Sequence, residues 1–227
     1  MTRDGRKIKP GLLFRSGDLF SLSGEDISEL EKMGLSMIID LRAGREIENR
    51  PDRVIATVKQ QIHIDIHDAA RDRAERFLDD NDAKGLETVL IGDYVRMVDI
   101  HQADFRNFLH ILATTDHLPL VYHCAAGKDR TGMATVFLLT ALGVEVSEIW
   151  DDYMATNLYS GKFIEKIIKK VTESGKNGEI LRPLLEVRQE YLQAALDRID
   201  QNYCGLKAYV KDILMADAKQ LQEKYLE

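Results

Sequence analysis

The segment Pro119-Leu120-Val121-Tyr122-His123 runs into Cys124-Ala125-Ala126-Gly127-Lys128-Asp129-Arg130-Thr131-Gly132 and leaves through Met133–Leu142, an apolar stretch closed by Gly143. A short apolar run ahead of small residues predicts a buried strand, and the longer apolar stretch behind them predicts a buried helix. Strand, tight loop of small residues and helix in this order offer an anion site at a helix N-terminus. The first turn of a helix carries unpaired N–H groups and a partial positive charge. Ala125, Ala126 and Gly127 are small enough to let several of those groups converge on one anion. This is not a Walker loop, because Gly127-Lys128 is followed by Asp129 rather than Ser or Thr and Tyr122 stands where the leading glycine belongs, and both departures argue against nucleotide binding.

The rest of the chain alternates strands and helices before turning helical. Leu12-Leu13-Phe14 is a short apolar run ahead of the turn-like Arg15-Ser16-Gly17-Asp18. Ser23 predicts a helix N-cap, with Ile27, Leu30 and Met33 at helical spacing and Gly34 as the residue that ends it. Ser36–Leu41 predicts a buried strand, Arg42–Arg53 a charged loop, and Gln60–Ile66 a second strand in which Ile62, Ile64 and Ile66 alternate with polar residues. A helix is expected over 87–114. From Ser147 onward the pattern predicts helices over 148–158, 163–172, 180–199 and 206–224, with breaks near Gly161, Gly175–Gly178 and Gly205. This is an α/β layered domain: a small, mainly parallel central sheet flanked by helices, with a helical C-terminal half over 147–227. Its 227 residues suit one domain spanning 1–227. Residues 67–90, rich in charge at their start and poor in apolar anchors, are a candidate lid segment.

Composition narrows the function classes. A net charge of −7 excludes nucleic acid as a general partner, which requires a surplus of Lys and Arg. No window is long and apolar enough for stable membrane insertion. The N-terminal MTRDGRKIKPG lacks the apolar core of a signal peptide, so a cytoplasmic location is expected, with secretion an alternative if the N-terminus is truncated. Two cysteines, Cys124 and Cys204, are too few for a disulfide framework or a zinc knuckle, and Cys204 reads as structural. The histidines, His63 and His67 included, form no convincing ligand set, and neither a metal nor a cofactor is expected.

Cys124 stands at the mouth of the nest, with Arg130 after five intervening residues. A helix N-terminus favours the thiolate, which is the nucleophilic form. An arginine grips two phosphate oxygens with one planar fork, which lysine cannot do. Attack on phosphorus would give a phosphocysteine, hydrolysed in a second step, with Arg130 and the backbone N–H groups stabilising both transition states.

The sequence Cys-x5-Arg, preceded by His123 and followed by Thr131-Gly132, resembles the signature of the protein tyrosine and dual-specificity phosphatases. The form HCxAGKDRTG, with Asp129 where most members carry glycine, resembles a bacterial branch acting on phosphotyrosine, phosphoserine/threonine and phosphoinositides. Leu13-Phe14-Arg15-Ser16-Gly17-Asp18-Leu19, Ile39-Asp40-Leu41-Arg42 with Glu46, Asp152-Tyr153-x3-Asn157 and Glu190-Tyr191-Leu192 follow in the expected order. The resemblance covers roughly residues 5–213. Two pieces are missing: the Asn-x-Arg-Asp-x-Gly-Gly segment that usually precedes the Asp4-Gly5-Arg6 region, and the Trp-Pro-Asp triplet that carries the general acid in many members.

The resemblance implies a tyrosine-phosphatase-like fold, a phosphorylated protein or phosphoinositide as substrate, and Asp129 as the acid. Its flanking cations Lys128 and Arg130 favour the carboxylate, whereas the thiolate and incoming phosphate favour the protonated acid. Asp40, at a strand end, and Asp68, beyond the second strand, remain alternatives. Ala125, Ala126, Gly127, Lys128 and Thr131 would contact phosphate. Thr131 is either a hydroxyl donor to the cysteine sulfur or a simple cap. His123 would orient the loop, and Asp40 and Arg42 would support it as an ion pair. Asp152, Tyr153 and Asn157 would buttress it. Competing readings are a phosphate-binding module without turnover, which Cys124 argues against, and a sulfurtransferase or arsenate reductase, whose loops differ in sequence or position.

Overall fold

The computed structural model describes residues 2–67, 77, 78 and 80–227. Four parallel strands form one sheet in the order β1-β4-β2-β3: β1 Leu13–Ser16, β2 Met37–Asp40, β3 Gln60–His63 and β4 Leu120–His123. The two central strands are buried throughout, as parallel strands covered on both faces must be. Side chains alternate between faces. Met37, Ile39, Leu120 and Tyr122 join the larger core, and Ile38 and Val121 join a smaller one with Leu19, Leu35 and Ile55. The edge strand β3 carries exposed polar residues.

Parallel neighbours require crossovers, and helices supply them. α1 (Gly24–Lys32) joins β1 to β2. Ser23 caps it by accepting from the Asp26 N–H while Asp26 accepts from the Ser23 N–H, and Gly34 leaves it at φ +71°. α3 (Ala83–Ile100) and α4 (Gln102–Thr114) lead to β4, and α5 (Asp129–Ala141) leaves it. α2 (Gly44–Asn49) lies between β2 and β3. α6 (Val146–Glu173), α7 (Arg182–Leu185), α8 (Gln189–Tyr203), α9 (Leu206–Ala208) and α10 (Ala218–Tyr225) make the C-terminal half helical, as expected.

Several boundaries differ from the sequence reading, each for a tertiary reason. The loop expected over Arg42–Arg53 contains α2, whose Glu46 carboxylate accepts from the Ala43 N–H at 2.9 Å. The helix expected over 87–114 is two helices, broken at His101, whose Nδ1 bonds Asp104 at 2.7 Å. Gly161 does not interrupt α6: a mid-helix glycine costs only about 1 kcal/mol. Ile149 and Tyr153 on one side of it and Ile164 and Ile168 on the other are buried and hold the helix continuous. The helix expected over 180–199 breaks after Leu185, where the Asn157 side chain bonds both the N–H and the C=O of Val187. Cys204, read as structural, is exposed in a left-handed conformation at the end of α8. Of the segment 67–90, residues 68–76 and 79, and with them Asp68, lie outside the described residues. Residues 83–90 belong to α3, anchored by Leu86, Val89 and Leu90.

Candidate active site

The loop predicted from sequence spans the carboxyl end of β4 and the start of α5, a usual ligand position in α/β sheets. Its curvature is locked from β1. Gly127 has φ +69°, and a Cβ there would lie 2.5 Å from the Ser16 carbonyl oxygen, so only glycine fits. The Asp18 N–H donates to the Ala125 carbonyl at 3.1 Å, and the Leu41 N–H donates to the His123 carbonyl at 2.8 Å. Cys124 is buried at the loop's entry, Ala126 is exposed, and Lys128 and Arg130 are buried despite their charge.

Arg130 is held by α2. Its two terminal nitrogens donate to the two Glu46 carboxylate oxygens at 2.6 and 3.0 Å, and one also reaches the Ile66 carbonyl at 3.2 Å. This bidentate pair, nearly closed to solvent, fixes the plane of the guanidinium before any substrate arrives. The sequence hinted at Glu46 only through its place after Ile39-Asp40-Leu41-Arg42. Its pairing with a residue 84 positions away is a product of the fold.

A second buried network supports the loop from beneath. Arg42 grips both Asp40 oxygens, at 2.7 to 3.1 Å, and reaches Asp52 at 2.9 Å. Asp52 faces His123 Nε2 at 3.0 Å, and His123 Nδ1 faces the Cys124 carbonyl at 3.2 Å. Asp40 and Arg42 form the expected ion pair, and Asp52, which sequence reasoning missed, joins that pair to His123 beside the Cys124 carbonyl. Asp40, Asp52 and His123 are residue types that ligate metals and lie together. Here the Arg42 cation bridges the two carboxylates.

Burial alone would raise the Asp52 carboxyl, but the His123 hydrogen bond and the charges of His123 and Arg42 outweigh it and hold it below the usual carboxylate range. A depressed folded-state value makes the contribution to stability complete above the unfolded carboxylate value of about 4 and lost as pH falls through the lower, folded value. Urea midpoints followed from neutral to acid pH should therefore drop steeply for the wild type, with a shallower acid limb for Asp52→Asn. Equal acid slopes in the two proteins would remove Asp52 as the source.

Asp129 opens α5 beside the loop. One of its oxygens accepts from the Tyr94 hydroxyl at 2.9 Å and from Lys128 Nζ at 2.8 Å, and the other lies 2.7 Å from the same Nζ. The Tyr153 hydroxyl donates to Tyr94 at 2.9 Å. Burial first, then the Asp129 charge, pushes the Tyr94 hydroxyl far above its ordinary range, so it remains a hydrogen-bond donor. Nothing in the sequence marked Tyr94. Of the three residues expected to buttress the loop, Tyr153 lies against Gly132, Asp152 pairs with Arg15 of β1 at 2.7 Å, and Asn157 bonds Val187. The buried Thr131 hydroxyl has no hydrogen-bond partner among the described residues, so its bond to the Cys124 sulfur is not made.

A sequence model of the tyrosine phosphatase family matches residues 1–227, the whole chain. The chain belongs to the tyrosine phosphatase family. It is 30% identical over 227 residues to a putative tyrosine-protein phosphatase of Cupriavidus necator, covering 98% of this chain and 81% of the relative. It is 29% identical to the triple specificity protein phosphatase PtpB of Mycobacterium tuberculosis, covering 93% and 88%. A tyrosine-protein phosphatase of Nostoc commune is 27% identical, over 64% of this chain and 48% of the relative. The protein is thus a phosphoric monoester hydrolase of the tyrosine-phosphatase type, with the cysteine-dependent mechanism general to that family. Among the described residues, no helix is long and apolar enough to cross a membrane.

Proposed function

We propose that this tyrosine phosphatase acts through Cys124 as nucleophile, Arg130 as phosphate clamp and Asp129 as general acid, on phosphotyrosine and phosphoserine/threonine proteins or phosphoinositides. The observation that carries this reading is the loop itself, with a buried cysteine at its entry and Glu46 presenting the Arg130 guanidinium in one fixed plane. The substrate phosphoryl group lies against the N–H groups of Ala125 to Thr131, with Lys128 adding charge. Cys124 Sγ bonds to phosphorus as the bond to the leaving oxygen breaks, and Asp129 delivers a proton to that oxygen. Water then displaces the sulfur, giving its proton to Asp129 and releasing inorganic phosphate. His123, Asp40 and Arg42 hold the loop's shape throughout. The broad substrate range is supported by the likeness to a triple-specificity relative and by Lys128, buried beside Asp129. We further propose that the chain is a bacterial cytoplasmic enzyme.

The test is hydrolysis of aryl and alkyl phosphates without added metal. Vanadate, which mimics trigonal phosphorus, should inhibit competitively. Asp129→Asn should slow an alkyl phosphate by about 10²-fold or more and an activated aryl phosphate far less, because a good leaving group departs without a proton. Equal rates for wild type and Asp129→Asn on both substrates would put the acid elsewhere. Among the described residues Asp40 would then be the alternative, although Arg42 holds both its oxygens.

A further inference from the structure

α6 carries a surface that catalysis does not use. Leu158, Tyr159 and Phe163 are 79%, 85% and 64% exposed, the largest exposed group of apolar side chains on one helix among the described residues. At helical spacing they share a face with Lys162, Lys166, Lys169 and Lys170, all exposed, while Ile164 and Ile168 bury the opposite face. Between Leu158 and Lys170 there are four lysines and one glutamate, in a chain whose net charge is −7. That glutamate, Glu165, already pairs with Arg182 at 3.0 Å, and Glu173, just beyond the stretch, lies 3.8 Å from Lys169. The face is thus locally cationic on an acidic protein, with a leucine and two aromatic side chains set among the charges.

Its position follows from helix geometry. α5 descends from the loop, the chain turns at Leu142–Glu145, and α6 returns alongside it, bringing Tyr153 against Gly132 in the first turn after the loop. At 1.5 Å per residue, the part of α6 beyond Tyr153 extends about 30 Å further. The exposed face therefore projects past the level of the phosphate loop.

We propose that this face is a peripheral docking surface for an anionic phospholipid bilayer, with the lysines at the headgroups and Leu158, Tyr159 and Phe163 in the interfacial region. Charge complementarity selects a negative surface, and exposed aromatic rings among lysines match the composition of helices that lie on membranes. The surface is separate from the chemistry at Cys124 and does not depend on it.

The test is co-sedimentation with vesicles of phosphatidylcholine alone and of phosphatidylcholine mixed with phosphatidylserine. The wild type should bind the mixed vesicles and not the neutral ones, and added salt should release it. Lys166→Glu with Lys170→Glu, and separately Tyr159→Ser with Phe163→Ser, should each weaken partitioning by about tenfold or more. Both pairs should leave aryl phosphate turnover and thermal unfolding unchanged, since none of the four side chains is buried. Failure of the wild type to bind anionic vesicles would overturn the proposal, as would full binding by both double variants. Binding is scored without turnover, so a preparation that sediments with anionic vesicles yet hydrolyses no phosphate still supports the surface and counts only against the catalytic assignment.

Discussion

Replacing Cys124 with serine is expected to reduce aryl phosphate turnover by on the order of 10⁴-fold or more while leaving the fold intact. Cys124 is fully enclosed at the end of β4, and serine differs from it only by a smaller, harder atom, so the neighbouring contacts persist. The loop is shaped by Gly127 against Ser16 and by the Ala125 and His123 carbonyls, none of which involves the sulfur. What disappears is the nucleophile: a serine hydroxyl needs an adjacent base, and His123 faces the Cys124 carbonyl and Asp52 instead. The variant should therefore still bind inorganic phosphate with an affinity close to wild type, measurable by calorimetry. Turnover within about tenfold of wild type would rule out Cys124 as nucleophile.

Arg130→Lys is expected to lower kcat by about 10²- to 10³-fold, the usual consequence of removing a preorganised donor to the transition state. Lysine keeps the charge but cannot span both Glu46 oxygens and two phosphoryl oxygens with one rigid plane. The same change should destabilise the protein. Glu46 sits in a nearly closed site, and a buried carboxylate with only part of its partnership costs stability, up to about 3–5 kcal/mol when a partner is lost outright. Glu46→Gln offers the complementary comparison, since it leaves Arg130 in place but loosens its orientation. Steady-state kinetics and thermal unfolding of the two variants separate clamp from scaffold. If Arg130→Lys turned over aryl phosphates at the wild-type rate, the clamp assignment would fail.

The chemistry-bearing loop was legible because its elements are contiguous. His123 to Gly132 are neighbours in the chain, and a run of small residues between a buried strand and an apolar helix has few ways to fold. Asp40 and Arg42 are two residues apart, which made their ion pair readable as well. Glu46, Asp52 and Tyr94 were not assigned roles, since a carboxylate 84 positions and a tyrosine 35 positions from their partners carry no local mark. The helix boundaries that shifted did so where long-range contacts overrode propensity. Buried Ile164 and Ile168 carried α6 through Gly161, and Asn157 opened the backbone at Val187.

The sequence by itself determined the α/β class, the parallel pairing of its apolar strands and the identity of the phosphate loop, because periodicity and contiguous small residues act over a few neighbouring positions. Only the tertiary structure decided how that loop is held. Glu46 sets the plane of Arg130, Asp52 links Arg42 to His123, and Tyr94 with Lys128 positions Asp129. These pairings join buried or half-buried polar groups, and burial is what drives them: a charged or polar group shut away from water by the closing cores is costly unless it meets a partner, wherever in the chain the fold has placed one.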